Sequence, residues 1–326
     1  MPRHVPPMLA VLSEMPSDQQ NWAFEYKWDG VRALAYYDER RTLSFVSRNQ
    51  LDITRRYPEL QGLAKVLGKR TAVLDGEIIA LDENDRPSFP RLQRRMHVND
   101  PASITRLVRE VPIVYVVFDV IYFAGKSLMD QPYAHRRAAL EKLKIEADHW
   151  QTTPSHVGHG TQMLATAKKI AMEGVVAKWL ESTYEPGQRS PHWRKIKVVQ
   201  RQEFVIAGFT GESTGDPHRI GTMLLGYYDK SGKLHYAGHV GTGLAAKDHP
   251  VLLKQFAKHK AAANPFMEKL PTSRRGGIKI QYLHPKLVGE IEYRRWPAGG
   301  MVQQASFKGL RADKAARDVV REVVRK

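Results

Sequence analysis

Glu25-Tyr26-Lys27-Trp28-Asp29-Gly30-Val31-Arg32, near the start of the chain, places a lysine, an acid, a turn glycine and an arginine in the order K-x-D-G-x-R. An amine nucleophile that attacks a nucleotide's α-phosphorus needs these parts. They are an activatable lysine, a carboxylate to steer a cation or proton, and a guanidinium for phosphate or sugar. A polar strand end turning at Gly30 would use the same residues, because Lys, Asp and Gly are common at turns. The octapeptide alone leaves both readings open.

Composition narrows the choice. A chain of 326 residues is long enough for two domains with proper cores. No apolar run approaches the roughly 20 residues that cross a bilayer. The start, Met1-Pro2-Arg3-His4-Val5-Pro6-Pro7, lacks the apolar segment of a signal peptide, so a cytoplasmic, nucleoid-associated protein is expected. With no cysteine, disulfides and thiolate metal sites are excluded. The net charge of +17 points to a polyanionic partner, nucleic acid first. The surplus is uneven: from Gln200 to Lys326 there are 22 lysines and arginines against 11 acids, whereas the first 199 residues hold 29 against 23. The last third therefore carries most of the positive field.

Along the chain, residues 1–20 are proline-rich and polar and read as an extended lead-in. From Phe24 to Val198, strand candidates (Thr42–Ser47, Ala72–Leu81, Ile113–Phe123, Gly174–Lys178, Arg194–Val198) alternate with helix candidates (Tyr57–Val66, Ala134–Lys144, Thr161–Met172). After Val198 the texture changes to short strands cut by glycine turns, Glu203–Phe209, Thr222–Tyr228, Leu234–Val240 and Lys286–Tyr293, with a helix over Pro250–Lys260. Val319, Val320, Val323 and Val324 form an apolar stripe in a terminal amphipathic segment, Asp313–Arg325. A boundary near Val198 is the natural cut, giving domains 1–198 and 199–326. Two motifs mislead. Gly125-Lys126-Ser127 lacks the first glycine of a phosphate-binding loop, since Val120 stands there. His156 and His159 have no third metal ligand in reach by sequence.

Further segments suit a nucleotide site. Leu74-Asp75-Gly76-Glu77 sets two acids beside a glycine, and Val117-Phe118-Asp119 sets an aromatic and an acid in an apolar strand. Glu173-Gly174-Val175-Val176-Ala177-Lys178 opens with an acid and closes with a lysine, while Lys195 and Lys197 lie on one strand face with Ile196 opposite. Each has a plain structural use, as core, cap or exposed edge. In this order, however, they resemble the six collinear motifs of the covalent nucleotidyltransferases: ATP-dependent DNA ligases, RNA ligases and mRNA capping enzymes. Arg86-Pro87-Ser88-Phe89, Leu92-Gln93-Arg94-Arg95, Gly125-Lys126-Ser127-Leu128, Tyr133 and Arg136-Arg137 narrow the resemblance to bacterial ATP-dependent DNA ligases of the ligase D, end-joining type. So do Leu224-Leu225-Gly226-Tyr227-Tyr228 and Phe307-Lys308-Gly309-Leu310-Arg311-Ala312-Asp313-Lys314.

The resemblance implies an α+β nucleotidyltransferase (adenylation) domain of antiparallel sheets flanked by helices, followed by an all-β OB-fold barrel that binds DNA. It implies that Lys27 is the nucleophile that takes AMP, with a pKa lowered by bound Mg²⁺, Lys195 and Lys197. Glu25 matches the reader of the adenine amino group and Phe118 the base-stacking residue. Arg32 and Arg48 match arginines that hold ribose or phosphate. Glu77 stands where a ligase contacts the ribose hydroxyl or a metal, Glu173 matches a metal-binding acid, and Asp29 an acid used near sealing. Lys195 and Lys197 match the pair that neutralises the α-phosphate. Arg311 and Lys314 match the last motif, which moves over the triphosphate and implies a hinge near Val198–Arg201. ATP as adenylyl donor and Mg²⁺ or Mn²⁺ follow.

One departure is Gln303-Gln304-Ala305, where related ligases carry Arg-His-Pro. With 26 residues ahead of Lys27, an NAD-type accessory domain has no room, which favours ATP over NAD. An RNA ligase or capping guanylyltransferase, and a non-catalytic DNA-binding scaffold, are the alternatives. The expected partners are nicked or broken duplex DNA and, by resemblance only, a Ku-type end-binding protein, with the chain acting as a monomer away from membranes.

Overall fold

The computed structural model describes residues 1–83, 86–96, 98–198, 200–212, 216, 218–270, 279–297 and 299–322. Two compact units divide after Val198, and Val199–Glu322 make up the second.

The first unit is built on two sheets. One runs in the order β1 (Leu9–Leu12), β12 (Arg189–Lys197), β11 (Gly174–Trp179), β2 (Trp22–Tyr26) and β10 (Ser155–Val157). The other runs β4 (Leu43–Ser47), β3 (Val31–Tyr37), β5 (Ala72–Ala80), β6 (Ile113–Phe123), β9 (Trp150–Thr152) and β8 (Glu146–Ala147), with β7 (Lys126–Ser127) also on β6. The sheets are mixed rather than wholly antiparallel, because β1 pairs β12 and β6 pairs β9 in parallel.

Alternation of side chains sorts each strand between two layers. Ala33, Ala35, Leu74, Ile78, Tyr115 and Val117 face helices α1 (Leu63–Leu67), α2 (Phe89–Met96), α3 (Pro101–Glu110) and α4 (Tyr133–Lys142). From the opposite face, Leu34, Tyr36, Val73 and Ile121 pack on Trp193 of β12 and on Val5 and Met8. On the far side of the first sheet, Phe24, Val175, Ala177 and Ile196 cover α5 (Gly160–Lys169) through Met163 and Ala167. The two sheets thus share one layer, and the octapeptide joins β2 of one to β3 of the other. Gly30 makes that crossing possible, since a Cβ there would collide with the Ile78 carbonyl oxygen.

In the second unit, β15 (Leu234–Val240), β14 (Ile220–Tyr228), β13 (Arg201–Gly211), β17 (Ile280–Glu292) and β16 (Lys260–Ala261) pair in that order, with β18 (Ser306–Leu310) on β17. Each pair of these named strands is antiparallel. A bridge between Thr242 and Ser306 draws the β15 end towards β18. Helix α6 (Asp248–Ala257) seals the core with Leu252 and Phe256. This is the antiparallel barrel expected of an OB-fold.

Several expectations need correction. Residues 1–20 are not a lead-in: Met8 is fully buried and β1 is an edge strand of the first sheet. Tyr57–Val66 is a 3₁₀ turn over Pro58–Gly62 followed by the short α1. Helices α2 and α3 were not expected. Only three residues of α2 are apolar and buried, Phe89, Leu92 and Met96. Helix α3 does carry a start signal, Asp100 accepting from the Ser103 N–H at 2.8 Å with Pro101 in the first turn. In the terminal amphipathic segment, the described residues hold a 3₁₀ turn, Ala316–Asp318, with Val319 buried and Val320 exposed. Val323, Val324 and Val199, which falls within the expected hinge, lie outside the described residues.

A buried ion pair locks α4 to β6. The Arg136 fork donates to both Asp119 oxygens at 2.9 Å, and its remaining arm donates to the Gln131 and Ser182 carbonyls at 2.7 and 2.9 Å. Both side chains are fully enclosed. Removing one partner strands a charge in a dry interior. Asp119→Ala is therefore expected to lower the stability of the first unit by about 3–5 kcal/mol. Arg106→Ala, which breaks only an exposed 3.6 Å pair with Glu110, should leave the denaturation midpoint almost unmoved.

Candidate active site

Three strands of the first sheet run side by side, and their register builds the site. Glu25 on β2 stands opposite Val176 on β11, which stands opposite Lys195 on β12. One step of two residues further, the Lys27 N–H donates to the Gly174 carbonyl at 2.9 Å, and Gly174 pairs with Lys197. One step back, Ala23, Lys178 and Trp193 form the next row. Because side chains alternate, Glu25, Lys27, Lys178, Trp193, Lys195 and Lys197 share one face, and Tyr26, Val175 and Ile196 take the other, against α5. Gly174 leaves room in the second row, where a Cβ would strike the Ile196 carbonyl.

The Lys27 ammonium donates directly to Glu173, the residue just ahead of β11. Lys197 reaches the other oxygen of the same carboxylate at 3.4 Å. Lys27 keeps 23 % of its side chain exposed, against 6 % for Glu173 and 5 % for Lys197. Burial pulls the Lys27 pKa down and Lys197 adds to that, but Glu173, with help from Asp29, outweighs both. The net direction is upward. Glu173, which folds back onto the lysine, sets that direction, and the sequence carries no sign of this contact.

Glu25 is 2 % exposed and ringed by donors. Tyr133 donates to one oxygen, Lys178 reaches the other at 2.8 Å, and the Arg137 guanidinium stands 3.7 Å away. Lys178 also donates to the Phe118 carbonyl at 2.9 Å and lies over the rings of Phe118, Tyr133 and Trp193. Its burial pulls its pKa below the usual lysine range, against the opposing pull of Glu25 and Asp119.

Arg32, on β3, forks onto Asp75 of β5 at 2.5 and 2.6 Å, donates to the Met8 carbonyl at 3.2 Å, and lies 4.5 Å over the Phe118 ring. Asp75 is fully buried and also accepts from Tyr184 at 2.5 Å. Glu77 is the register partner of Arg32 across β3 and β5. Phe118 is 9 % exposed and edge-on to Trp193. Arg48 is half-buried and donates its backbone N–H to the Arg32 carbonyl at 3.3 Å. Asp29 is half-buried in the bend between β2 and β3.

Arg311 and Lys314 belong to the second unit and are engaged within it. Arg311 forks onto Asp313 at 2.9 and 2.8 Å and reaches Glu290 at 3.1 Å, while Lys314 meets Glu203 at 2.7 Å. Of the two misleading motifs, Lys126 and Ser127 form the exposed β7, and His156 and His159 are exposed. Among the described residues no group of three or more His, Cys, Asp or Glu is arranged to hold a metal ion. Nor is any helix long and apolar enough to cross a membrane.

Sequence reasoning gave no role to Asp75, Tyr133, Arg137, Lys178 or Tyr184. Asp75, Tyr133 and Arg137 stood in the quoted motifs without a role, and Lys178 left a signal in its even spacing from Val176, which puts it on the face of Glu25 once the strands are paired.

Residues 7–197 match the ATP dependent DNA ligase domain, and residues 216–314 match the ATP dependent DNA ligase C terminal region. The chain is 36 % identical over 318 residues to the multifunctional non-homologous end joining DNA repair protein LigD of Mycobacterium tuberculosis, covering 97 % of this chain and 40 % of the relative. Against LigD of Pseudomonas aeruginosa it is 36 % identical over 326 residues, covering 99 % and 37 %. The chain thus spans about two fifths of the length of these curated relatives. A solved structure of mycobacterial DNA ligase D complexed with ATP and MES superposes with a TM-score of 0.67 at 35 % identity, over 98 % of both chains. With the fold, both matched regions and these likenesses in agreement, the chain belongs to the ATP-dependent DNA ligase family.

Proposed function

We propose that this chain seals breaks in duplex DNA, joining a 5′-phosphate to a 3′-hydroxyl through an AMP carried on Lys27. The observation that carries the reading is the meeting of Lys27, Glu173 and Lys197 on the sheet face that also presents Glu25. The neutral Lys27 amine attacks the α-phosphorus of ATP, a P–N bond forms and pyrophosphate leaves. An oxygen of the 5′-phosphate then takes the AMP, breaking that P–N bond. Finally the 3′-hydroxyl attacks the 5′-phosphorus and AMP departs.

Beyond the lysine, little covalent chemistry is asked of the protein. Positioning and charge neutralisation supply most of the rate in phosphoryl transfer of this kind. Lys195 and Lys197 would face the α-phosphate, and Arg32, held rigid by Asp75, the ribose or phosphate beside Phe118. Arg48 would serve the same end, and Asp29 the sealing step. Arg311 and Lys314 are assigned to the triphosphate by resemblance. Glu25 would accept from the adenine amine. A hard divalent cation, Mg²⁺ or Mn²⁺, suits the carboxylates of Glu173 and Glu77 together with substrate phosphates, a mode that needs only one or two protein ligands. When bound it would neutralise phosphate charge. The basic second unit would hold backbone phosphates without sequence preference. Work at double-strand breaks, with an end-binding partner of the Ku type, accords with the end-joining names of the relatives.

The test is to incubate the protein with Mg²⁺ and α-labelled ATP or GTP, then chase with nicked DNA or nicked RNA. Label from ATP that moves to nicked DNA is expected, and Lys27→Ala should take none. Label from GTP alone, or label that moves only to RNA, would favour the capping or RNA-ligase alternative. No label at all would favour a scaffold.

The proton on Lys27 supplies a second test. The elevated pKa keeps the ammonium form, so the amine emerges only above the ordinary lysine range; the pair's stabilisation is complete below that range and is lost as pH rises through the elevated value. Glu173→Gln removes the main raising influence. In metal-free solution, the pH midpoint for acylation of Lys27, followed by peptide mass spectrometry, is expected to fall in Glu173→Gln. An unchanged or higher midpoint would contradict the assignment.

A further inference from the structure

Tyr133 and Arg137 lie one turn apart on α4 and project to the same Glu25 oxygen. The Arg137 guanidinium is fixed at two corners. Its Nε donates to Glu141 at 2.8 Å and one terminal nitrogen donates to the Thr153 carbonyl at 2.8 Å. Thr153 is anchored in turn, its hydroxyl accepting from the Trp28 indole at 2.9 Å. The other terminal nitrogen, NH1, is enclosed and has no hydrogen-bond acceptor. Its position relative to Glu25 is 3.7 Å from Oε1, too long for a hydrogen bond. A buried guanidinium N–H without an acceptor is unfavourable, and such a group in a native fold calls for a ligand or a role.

The chemistry beside it supplies one. A carboxylate has about four acceptor sites, of which Tyr133 and Lys178 use two, so Glu25 can still take an amine. Next to that acceptor stands a rigid donor with no hydrogen-bond acceptor of its own. Adenine offers the complement, an exocyclic amine flanked by ring nitrogens that accept. We infer that Arg137 is a specificity-determining residue: its NH1 donates to a purine ring nitrogen adjacent to the amine that Glu25 accepts. A 6-oxo purine in the same pose would set its oxygen against the Glu25 carboxylate. The inference rests on Glu25 as reader of the adenine amine. Glu25 and Lys178 are buried, and the NH1 of Arg137 is enclosed beside them.

The experiment compares protein–AMP formation from ATP, 1-deaza-ATP, 7-deaza-ATP and purine riboside triphosphate, which lacks the exocyclic amine. Wild type, Arg137→Met and Arg137→Lys are measured. In wild type, one of the two deaza analogues is expected to raise KM by roughly 10- to 100-fold, the effect of losing a hydrogen bond to a charged donor. Arg137→Met should show that loss with ATP itself and no additional loss with the same analogue, while still discriminating against purine riboside triphosphate. Arg137→Lys, which keeps the charge but not the fork, should behave like Arg137→Met. A deaza penalty that persists in Arg137→Met assigns the ring nitrogen to another donor, such as Lys178, and overturns the inference. Equal KM for ATP and both deaza analogues in wild type overturns it too, whether or not the variants fold. If wild type treats purine riboside triphosphate as it treats ATP, the reading of Glu25 itself fails.

Discussion

The structure depends on the pairing of β2, β11 and β12 in one register. A strand alternates its side chains, so a single-residue slip in any of the three would send Glu25, Lys27, Lys195 or Lys197 to the α5 side and bring Tyr26, Val175 or Ile196 forward. The apolar packing of Val175, Ala177 and Ile196 on Met163 and Ala167 is what holds the register. Hydrophobic burial on one face thus sets the positions of charges on the other. Lys27, the proposed nucleophile, lies one residue past β2, where the chain still keeps a sheet hydrogen bond to Gly174 before it bends at Gly30.

Charges gathered this densely and this far from water need counterions. Lys27 and Lys197 share Glu173, Arg32 leans on Asp75, and Lys178 is held by Glu25 and aromatic faces. In the second unit Arg311 and Lys314 rest on Asp313, Glu290 and Glu203. The arrangement is consistent: basic groups suited to phosphate are stored on internal carboxylates, which lowers the desolvation penalty of burying them. For Lys27 the same device keeps the ammonium form. In the proposed reaction, a cation or substrate phosphates that draw Glu173 away would free the amine, which would couple loading to activation through one carboxylate.

Much of this was legible in the sequence, and the limits are physical. Long runs rich in β-branched residues, such as Ile113–Phe123, announce themselves, and Lys195-Ile196-Lys197 shows its two faces in three residues. Lys27, Glu25 and Glu173 were singled out by the order of motifs, and the structure sets Lys27 against Glu173 on the sheet face that presents Glu25. What stayed hidden depends on contacts distant in the chain. Met8 looks like part of a polar lead-in until its carbonyl meets Arg32 and its N–H meets Tyr184, 176 residues away. Asp75 and Asp119 are ordinary strand acids until Arg32 and Arg136 fork onto them. The direction of the Lys27 pKa could not be read for the same reason, since Glu173 is 146 residues distant.

The central claim, that this sheet register singles out Lys27 among four lysines on or near one face, is most directly tested by locating the AMP. Protein loaded with ATP, digested, and sequenced by mass spectrometry under conditions that preserve the phosphoramide should carry the added AMP on Lys27 alone. AMP on Lys178, Lys195 or Lys197 would contradict the account.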